Sequence, residues 1–112
     1  MTSQDLTQVR IAENQITFRE ANENIEAAVR EIGVDGDVPF ICECAEPRCT
    51  AIVRISLEAY AAIRRNPRLF FNLSGHEATA VESGAGAVVE ERGRYVLVEK
   101  TWIAGEIARG ET

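Results

Sequence analysis

The chain has 112 residues, a formal net charge of −6 and 46% hydrophobic residues, which suits one soluble domain with its own core. No run approaches the roughly 20 apolar residues that a membrane-spanning helix needs. Residues 1–5 carry no positive charge and no apolar core follows them, so we expect no secretion signal and a cytoplasmic location. We therefore predict a single domain over residues 1–112.

The charge is distributed unevenly along the chain. Residues 48–68 carry five arginines and one glutamate, and the segments on both sides are acidic. A dedicated nucleic-acid-binding protein usually has a broad basic face, so we do not expect a nucleic acid as partner. The basic segment either neutralises the acidic ones or presents Arg64, Arg65 and Arg68 to an acidic partner.

The first predicted element is one long helix over residues 6–32. Large apolar residues recur every seven positions, at Ile11, Phe18, Ile25 and Ile32. This spacing predicts a seam that packs against another helix. The seam spans 21 residues, about 32 Å at 1.5 Å per residue, which is more than so small a core is expected to cover. We therefore expect part of the helix to pair with a partner protein, most simply its copy in a homodimer.

The rest of the chain predicts short strands and helices. Alternation and β-branched residues favour strands at 38–41, 51–55 and 69–73 and a hairpin of 87–90 with 94–99. Ser56 is a predicted N-cap for a helix at 57–65, and residues 102–108 predict a closing helical turn. The predicted fold class is α+β, with a long N-terminal helix, a small antiparallel sheet with a hairpin, and one or two short helices.

Three cysteines and the only histidine are the strongest functional signal in the sequence. Cys42, Cys44 and Cys49 fall within eight positions, and His76 follows in the sequence Ser74-Gly75-His76-Glu77. Clustered thiols in a reducing compartment are more often ligands or catalysts than disulfides. Three thiolates and one imidazole complete the tetrahedral shell of Zn²⁺. We therefore predict zinc held by these four residues, which makes residues 38–109 a zinc-stapled α+β core.

Three alternatives stay open at this point. A [2Fe–2S] cluster can use cysteine and histidine ligands together and would make the protein redox-active. A catalytic zinc would leave one position to water, with Glu77 as a proton carrier beside it. The cysteines could also bind no metal.

A structural ion is the interpretation that we favour, because four strong ligands leave no open coordination position. No other catalytic motif stands out, since there is no second histidine and no phosphate-binding loop. The sequence therefore favours a zinc-stabilised module that binds or regulates through a protein partner. The alternative is a redox-active or catalytic metal protein, and no catalytic residue is predicted.

Several motifs of the chain resemble a group of small, uncharacterised actinobacterial proteins. They combine into the pattern FxCECxxxxC…GHE…VxVEK, carried by 40–49, 75–77 and 96–100, with further similarity at 14–25. The resemblance spans residues 13–108, and its most specific part is Cys-Glu-Cys together with Gly-His-Glu. This chain departs from the group at Ser74, where proline is usual, and at Ala59, where an acid is usual. The resemblance implies the metal site and the architecture, and it implies no activity.

Overall fold

A computed structural model describes residues 2–101, and for Gln4 its backbone alone. In chain order the elements are α1 (Ser3–Ile32), β1 (Asp37–Ile41), β2 (Ile52–Ser56), α2 (Leu57–Arg64), β3 (Leu69–Leu73), α3 (Ala78–Glu82), β4 (Gly86–Glu91) and β5 (Tyr95–Lys100). The fold class is α+β, as predicted. The closing turn predicted at 102–108 lies outside the described residues.

The strands form two antiparallel sheets where the sequence predicted one. β1 pairs with β2, and β5 lies between β3 and β4 in a second, three-stranded sheet. The predicted hairpin is β4 with β5, and its pairing register shifts between Val88 and Glu90. The short helix α3 was not predicted, because its five residues are too few for a helical pattern to show.

Helix α1 starts earlier than the sequence pattern predicts because of a capping box. The Thr2 side chain accepts a hydrogen bond from the backbone N of Asp5, and the Asp5 carboxylate accepts one from the backbone N of Thr2. These two bonds satisfy donors that a helix start otherwise leaves unpaired. The helix ends at Ile32, where Gly33 adopts a left-handed conformation with φ of 80°. Across residues 2–101, no helix is both long and apolar enough to cross a membrane.

The buried face of α1 differs from the predicted seam. Ile11 is buried, whereas Ile32 is 75% exposed. The buried residues of the helix are Gln8, Ile11, Ala12, Gln15, Arg19 and Asn22. Gln8, Gln15 and Asn22 recur every seven residues, as the predicted seam does, but three positions earlier, which turns the buried face by about 60° around the helix. The fully buried residues of α1 are therefore largely polar, and of the predicted seam Ile11 is buried while Ile25 is partly buried against the main core.

The main core lies around three aromatic rings from three different elements. Phe40 of β1 stacks on Tyr60 of α2 with ring centroids 4.2 Å apart, and Phe71 of β3 meets both rings edge-on. Cys42 and Cys44 belong to the same buried cluster. Both sheets and α2 therefore pack directly against the segment that carries the first two cysteines.

Helix α2 begins where the sequence predicts. The Ser56 side chain accepts a hydrogen bond from the backbone N of Ala59 at 3.1 Å, which is the expected N-cap bond. The helix ends at Arg64, one residue before the predicted end. Its buried residues, Tyr60 and Ile63, face the core, and this fixes which way the neighbouring arginines point.

Candidate metal centre

The three cysteines lie on the connection between β1 and β2. The backbone N of Cys42 donates to the carbonyl of Ala51 at 3.0 Å, which continues the hairpin past the end of β1. A turn that contains Pro47 then closes with a bond from the Cys49 N to the Glu46 carbonyl at 3.1 Å. The chain thus folds back on itself and returns Cys49 towards Cys42.

The histidine lies on a tight turn that directly follows β3. The backbone N of His76 donates to the Leu73 carbonyl at 2.8 Å. Gly75 has φ of 99°, a backbone conformation that other residues rarely adopt. The Glu77 carboxylate accepts a hydrogen bond from the Gly75 N at 2.8 Å and so braces this turn. The turn holds His76 over the cysteine loop.

The structure brings the four predicted residues together. Their ligand atoms all lie within 4.8 Å of one another. The Nδ1 atom of His76 is 3.7 Å from the Cys42 Sγ and 3.5 Å from the Cys49 Sγ. In a tetrahedral site with zinc–sulfur bonds of ~2.3 Å and zinc–nitrogen bonds of ~2.0–2.1 Å, the bound sulfur and nitrogen atoms lie about 3.5 Å apart. All three cysteines are free thiols, so the Cys₃His group could hold a metal ion.

Each thiol affects the ionisation of its neighbours. A hydrogen bond with Cys44, together with burial, raises the pKa of Cys42, and the same hydrogen bond lowers the pKa of Cys44 to about 5. Burial raises the pKa of Cys49. The protein groups alone therefore favour one thiolate among the three cysteines. A bound divalent cation favours ionisation of all three, as metal binding by thiols requires.

One side of the group is open to solvent. Cys42 and Cys44 are completely buried, whereas Cys49 and His76 are partly exposed. Cys49 and His76 line an open depression of about 460 Å³, whose other lining residues are Glu46, Arg48, Thr50 and Ala51. The backbone N of Leu73 donates to the Cys42 Sγ at 3.2 Å, on the buried side. Donor bonds of this kind hold a thiolate in place.

Glu43 is a residue of this region that the sequence analysis did not single out. It lies between Cys42 and Cys44, and its side chain is completely buried. The carboxylate accepts hydrogen bonds from Arg64 at 3.0 Å and Asn22 at 2.9 Å. Burial raises the pKa of Glu43, and the charge of Arg64 opposes this shift. The sequence signal for Glu43 was its place between two cysteines. In an extended segment successive side chains point to opposite faces, so the middle side chain points away from the two thiols.

Arg64 neutralises an acidic residue of the chain, which is the first of the two roles predicted for the basic segment. Its side chain is only 14% exposed and donates to Glu43 and to the Leu69 carbonyl. Arg68 donates to the Lys100 carbonyl at 2.6 Å, and Arg65 is exposed. Two arginines of the basic segment, Arg64 and Arg68, therefore bind a carboxylate and backbone carbonyls of the protein, whereas Arg48, Arg54 and Arg65 are exposed.

A stack of cations around Phe70 extends this buried polar region. The Arg19 guanidinium lies 3.9 Å from the Phe70 ring centroid, and the Lys100 Nζ lies 4.5 Å from it. Lys100 is completely buried, and burial lowers its pKa to about 7. Among the residues that the structure describes, its Nζ has no hydrogen-bond partner. The interior between α1 and the three-stranded sheet thus contains several charged groups.

The site itself is the main source of functional information. No family model, no curated protein and no solved structure matches this chain. The resemblance to small actinobacterial proteins stays a prediction. The Cys₃His group and the residues around it are therefore the features of the molecule that indicate a function.

Proposed function

We propose that Cys42, Cys44, Cys49 and His76 hold one structural Zn²⁺ and that the protein is a zinc-stabilised binding module. The observation that carries the proposal is the convergence of the four ligand atoms within 4.8 Å of one another. Three thiolates and one imidazole fill the four positions of tetrahedral zinc, so neither water nor a substrate would reach the ion. This argues for a structural role and against an enzyme.

Compactness of the ligand set also favours one ion over a cluster. A [2Fe–2S] centre distributes its four protein ligands over two irons, which separates the two pairs of ligand atoms. Four atoms that are all close neighbours suit a single ion better. Glu77, the proton carrier of the catalytic alternative, has one carboxylate oxygen bonded to the Gly75 N, which gives it a structural role in the turn.

Zinc at this site would join parts of the chain that are distant in sequence. It would connect the loop between β1 and β2 with the turn after β3, and hence the two sheets with each other. Structural zinc contributes about 10–16 kcal/mol of binding free energy in zinc-finger peptides. Since small domains are stable by only about 5–15 kcal/mol, the ion would supply much of the stability.

The partner surface that we propose is the exposed end of α1. Ile32 is 75% exposed and the nearby Val34 is 45% exposed, so two apolar side chains face solvent beyond the part of the helix that packs on the core. We propose that this end of the helix contacts a protein partner, most simply a second copy of the chain. The proposal keeps the homodimer predicted from the sequence and places its contact at the C-terminal end of the seam, around Ile32.

Elemental analysis of the purified protein tests the zinc proposal directly. We expect one zinc per chain, and a colourless protein, because zinc has no visible absorption and an iron–sulfur cluster has. Chelation is expected to lower the midpoint of thermal unfolding strongly. Cys49→Ser should lose the metal, whereas the neighbouring exposed Thr50→Ser should keep it. Metal-free protein whose unfolding midpoint does not respond to a chelator would contradict the proposal.

X-ray absorption at the zinc edge separates the structural site from the catalytic one. The structural site predicts three sulfur ligands and one nitrogen ligand around each ion. A shell in which an oxygen from water replaces one of these ligands would overturn the structural assignment and make Glu77 a candidate general base.

A further inference from the structure

Asn22 of α1 holds the residue that precedes the first cysteine. Its Oδ1 accepts a hydrogen bond from the Ile41 N at 2.7 Å, and its Nδ2 donates to the Ile41 carbonyl at 2.8 Å. Asn22 is completely buried. Because one side-chain amide binds both polar backbone groups of Ile41, the end of β1 has a defined position against the helix. Asn22 therefore determines where the cysteine loop starts.

The same asparagine reaches the residue between the two buried cysteines. Its Nδ2 also donates to Glu43 Oε2 at 2.9 Å. Glu43 Oε1 accepts from Arg64 at 3.0 Å and from the Phe71 N at 3.4 Å, and the Glu43 N donates to the Phe71 carbonyl at 3.0 Å. Glu43 thus binds α1, α2 and β3 while the thiols on either side of it face His76. The loop has metal ligands on one side and helix contacts on the other.

A further bond connects α1 with the second cysteine. The Nδ2 of Asn14 donates to the Cys44 carbonyl at 3.2 Å. Helix α1 therefore binds the backbone immediately before Cys42 and the backbone of Cys44 itself. None of these contacts uses a thiol, so all of them are compatible with a bound ion.

We propose that Asn22 and Glu43 are positioning residues of the metal centre, so that metal binding and the docking of α1 are linked. The inference depends on the proposed zinc site and adds a regulatory consequence to it. With zinc bound, the loop holds Ile41 and Glu43 where Asn22 and Arg64 can bind them. Loss of zinc frees the loop, weakens these contacts and loosens α1 from the sheet.

Linkage makes this proposal quantitative. If zinc strengthens the docking of α1 by some factor, the docking contacts strengthen zinc binding by the same factor. Couplings between sites are typically about 5- to 150-fold in affinity. Removing a buried asparagine that touches no metal ligand side chain should therefore weaken zinc binding about 10-fold.

Two asparagines of α1 provide a matched pair of variants for the test. Asn22 is buried against the loop, whereas Asn24 lies two residues later in the same helix and is exposed. The dissociation constant of Zn²⁺ is measured for Asn22→Ala and Asn24→Ala by competition with a chromophoric chelator. We expect about 10-fold weaker binding for Asn22→Ala and an unchanged constant for Asn24→Ala.

Zinc affinity separates positioning from ordinary stabilisation. If Asn22 only stabilised the fold, its loss would lower the unfolding midpoint and leave the zinc constant of the folded protein unchanged, which would overturn the proposal. If Asn22→Ala does not fold, Glu43→Gln replaces it, with Glu58→Gln at an exposed position of α2 as control. In the wild type, zinc removal should also speed amide hydrogen exchange in residues 10–24, and unchanged exchange there would contradict the linkage.

The outcomes distinguish this inference from the proposed function. A wild-type protein that binds no stoichiometric zinc overturns both. A wild-type protein that binds one zinc, with equal affinities in the Asn22 and Asn24 variants, overturns the linkage alone and leaves the structural zinc site in place.

Discussion

Glu43 and Arg64 form an ion pair at 3.0 Å in which the Glu43 side chain is completely buried and the Arg64 side chain is 14% exposed. The pair joins the cysteine loop to the last turn of α2. A buried charge is tolerated only when a partner and hydrogen bonds compensate its desolvation. The pair therefore makes the position of α2 depend on the loop that carries the metal ligands.

Arg64→Met should be strongly destabilising because it leaves the Glu43 carboxylate buried without its cation. We expect a loss of about 3–5 kcal/mol in the free energy of unfolding, measured by denaturant titration. Arg65→Met is the matched control, since Arg65 is adjacent in sequence and exposed, and its change should stay within about 0.5 kcal/mol. Equal effects of the two substitutions would argue against the buried pair.

The burial of Lys100 should make stability depend on pH. Burial is the main reason that its pKa falls from 10.5 to about 7; the charge of Arg19 acts in the same direction, and Glu43 and Cys44 oppose the shift. Between pH 7 and 10.5 the unfolded chain therefore holds a proton at Lys100 that the folded protein has lost. Stability contributed by this group consequently rises with pH across that window.

Lys100→Met should remove this dependence. The zinc-loaded variant is expected to be more stable than the wild type at pH 7 by on the order of a few kcal/mol, and the difference should vanish near pH 10.5. Unfolding midpoints measured across this range check the expectation. Glu99→Gln, at the preceding position of β5, should keep the wild-type slope, because Lys100 is still present. A Lys100→Met variant with the wild-type slope would contradict the assignment.

The exposed end of α1 predicts the oligomeric state. Ile32→Glu should convert a dimer to a monomer, since a buried carboxylate at an apolar contact is costly, while one metal per chain is retained. Sedimentation velocity at several protein concentrations measures this. Glu31→Gln, at the neighbouring exposed position, should leave the dimer intact. A wild-type protein that stays monomeric at the highest concentration would disprove the proposed contact.

Local patterns were sufficient to predict much of the fold. Ser56 caps α2 because a cap depends on a side chain and the backbone three residues away. The hairpin of β4 and β5 follows from two β-branched runs around a short turn. Three cysteines and one histidine likewise indicate a metal site by residue type and spacing alone, and the structure places their ligand atoms together.

The buried polar face of α1 could not be predicted in the same way. A search for apolar periodicity selects Ile11, Phe18, Ile25 and Ile32, whereas Gln15 and Asn22 are completely buried and Ile32 is exposed. Burial of a polar side chain depends on tertiary packing, and usually on hydrogen-bond partners from other parts of the chain. For Asn22, those partners lie about twenty residues further along the chain, at Ile41 and Glu43.

The amino-acid sequence by itself determined the chemical types of the metal ligands, the start of α2 and the hairpin, because each depends on neighbours in the chain. Only the tertiary structure decided which of two chemically alike neighbours is buried. This applies to Glu43 and Glu46 and to Arg64 and Arg65. Glu43 and Arg64 are buried together, whereas Glu46 and Arg65 are exposed. The physical reason is that burial of the Glu43 carboxylate is costly unless a cation compensates it, and the fold brings that cation, Arg64, from 21 residues away in the chain.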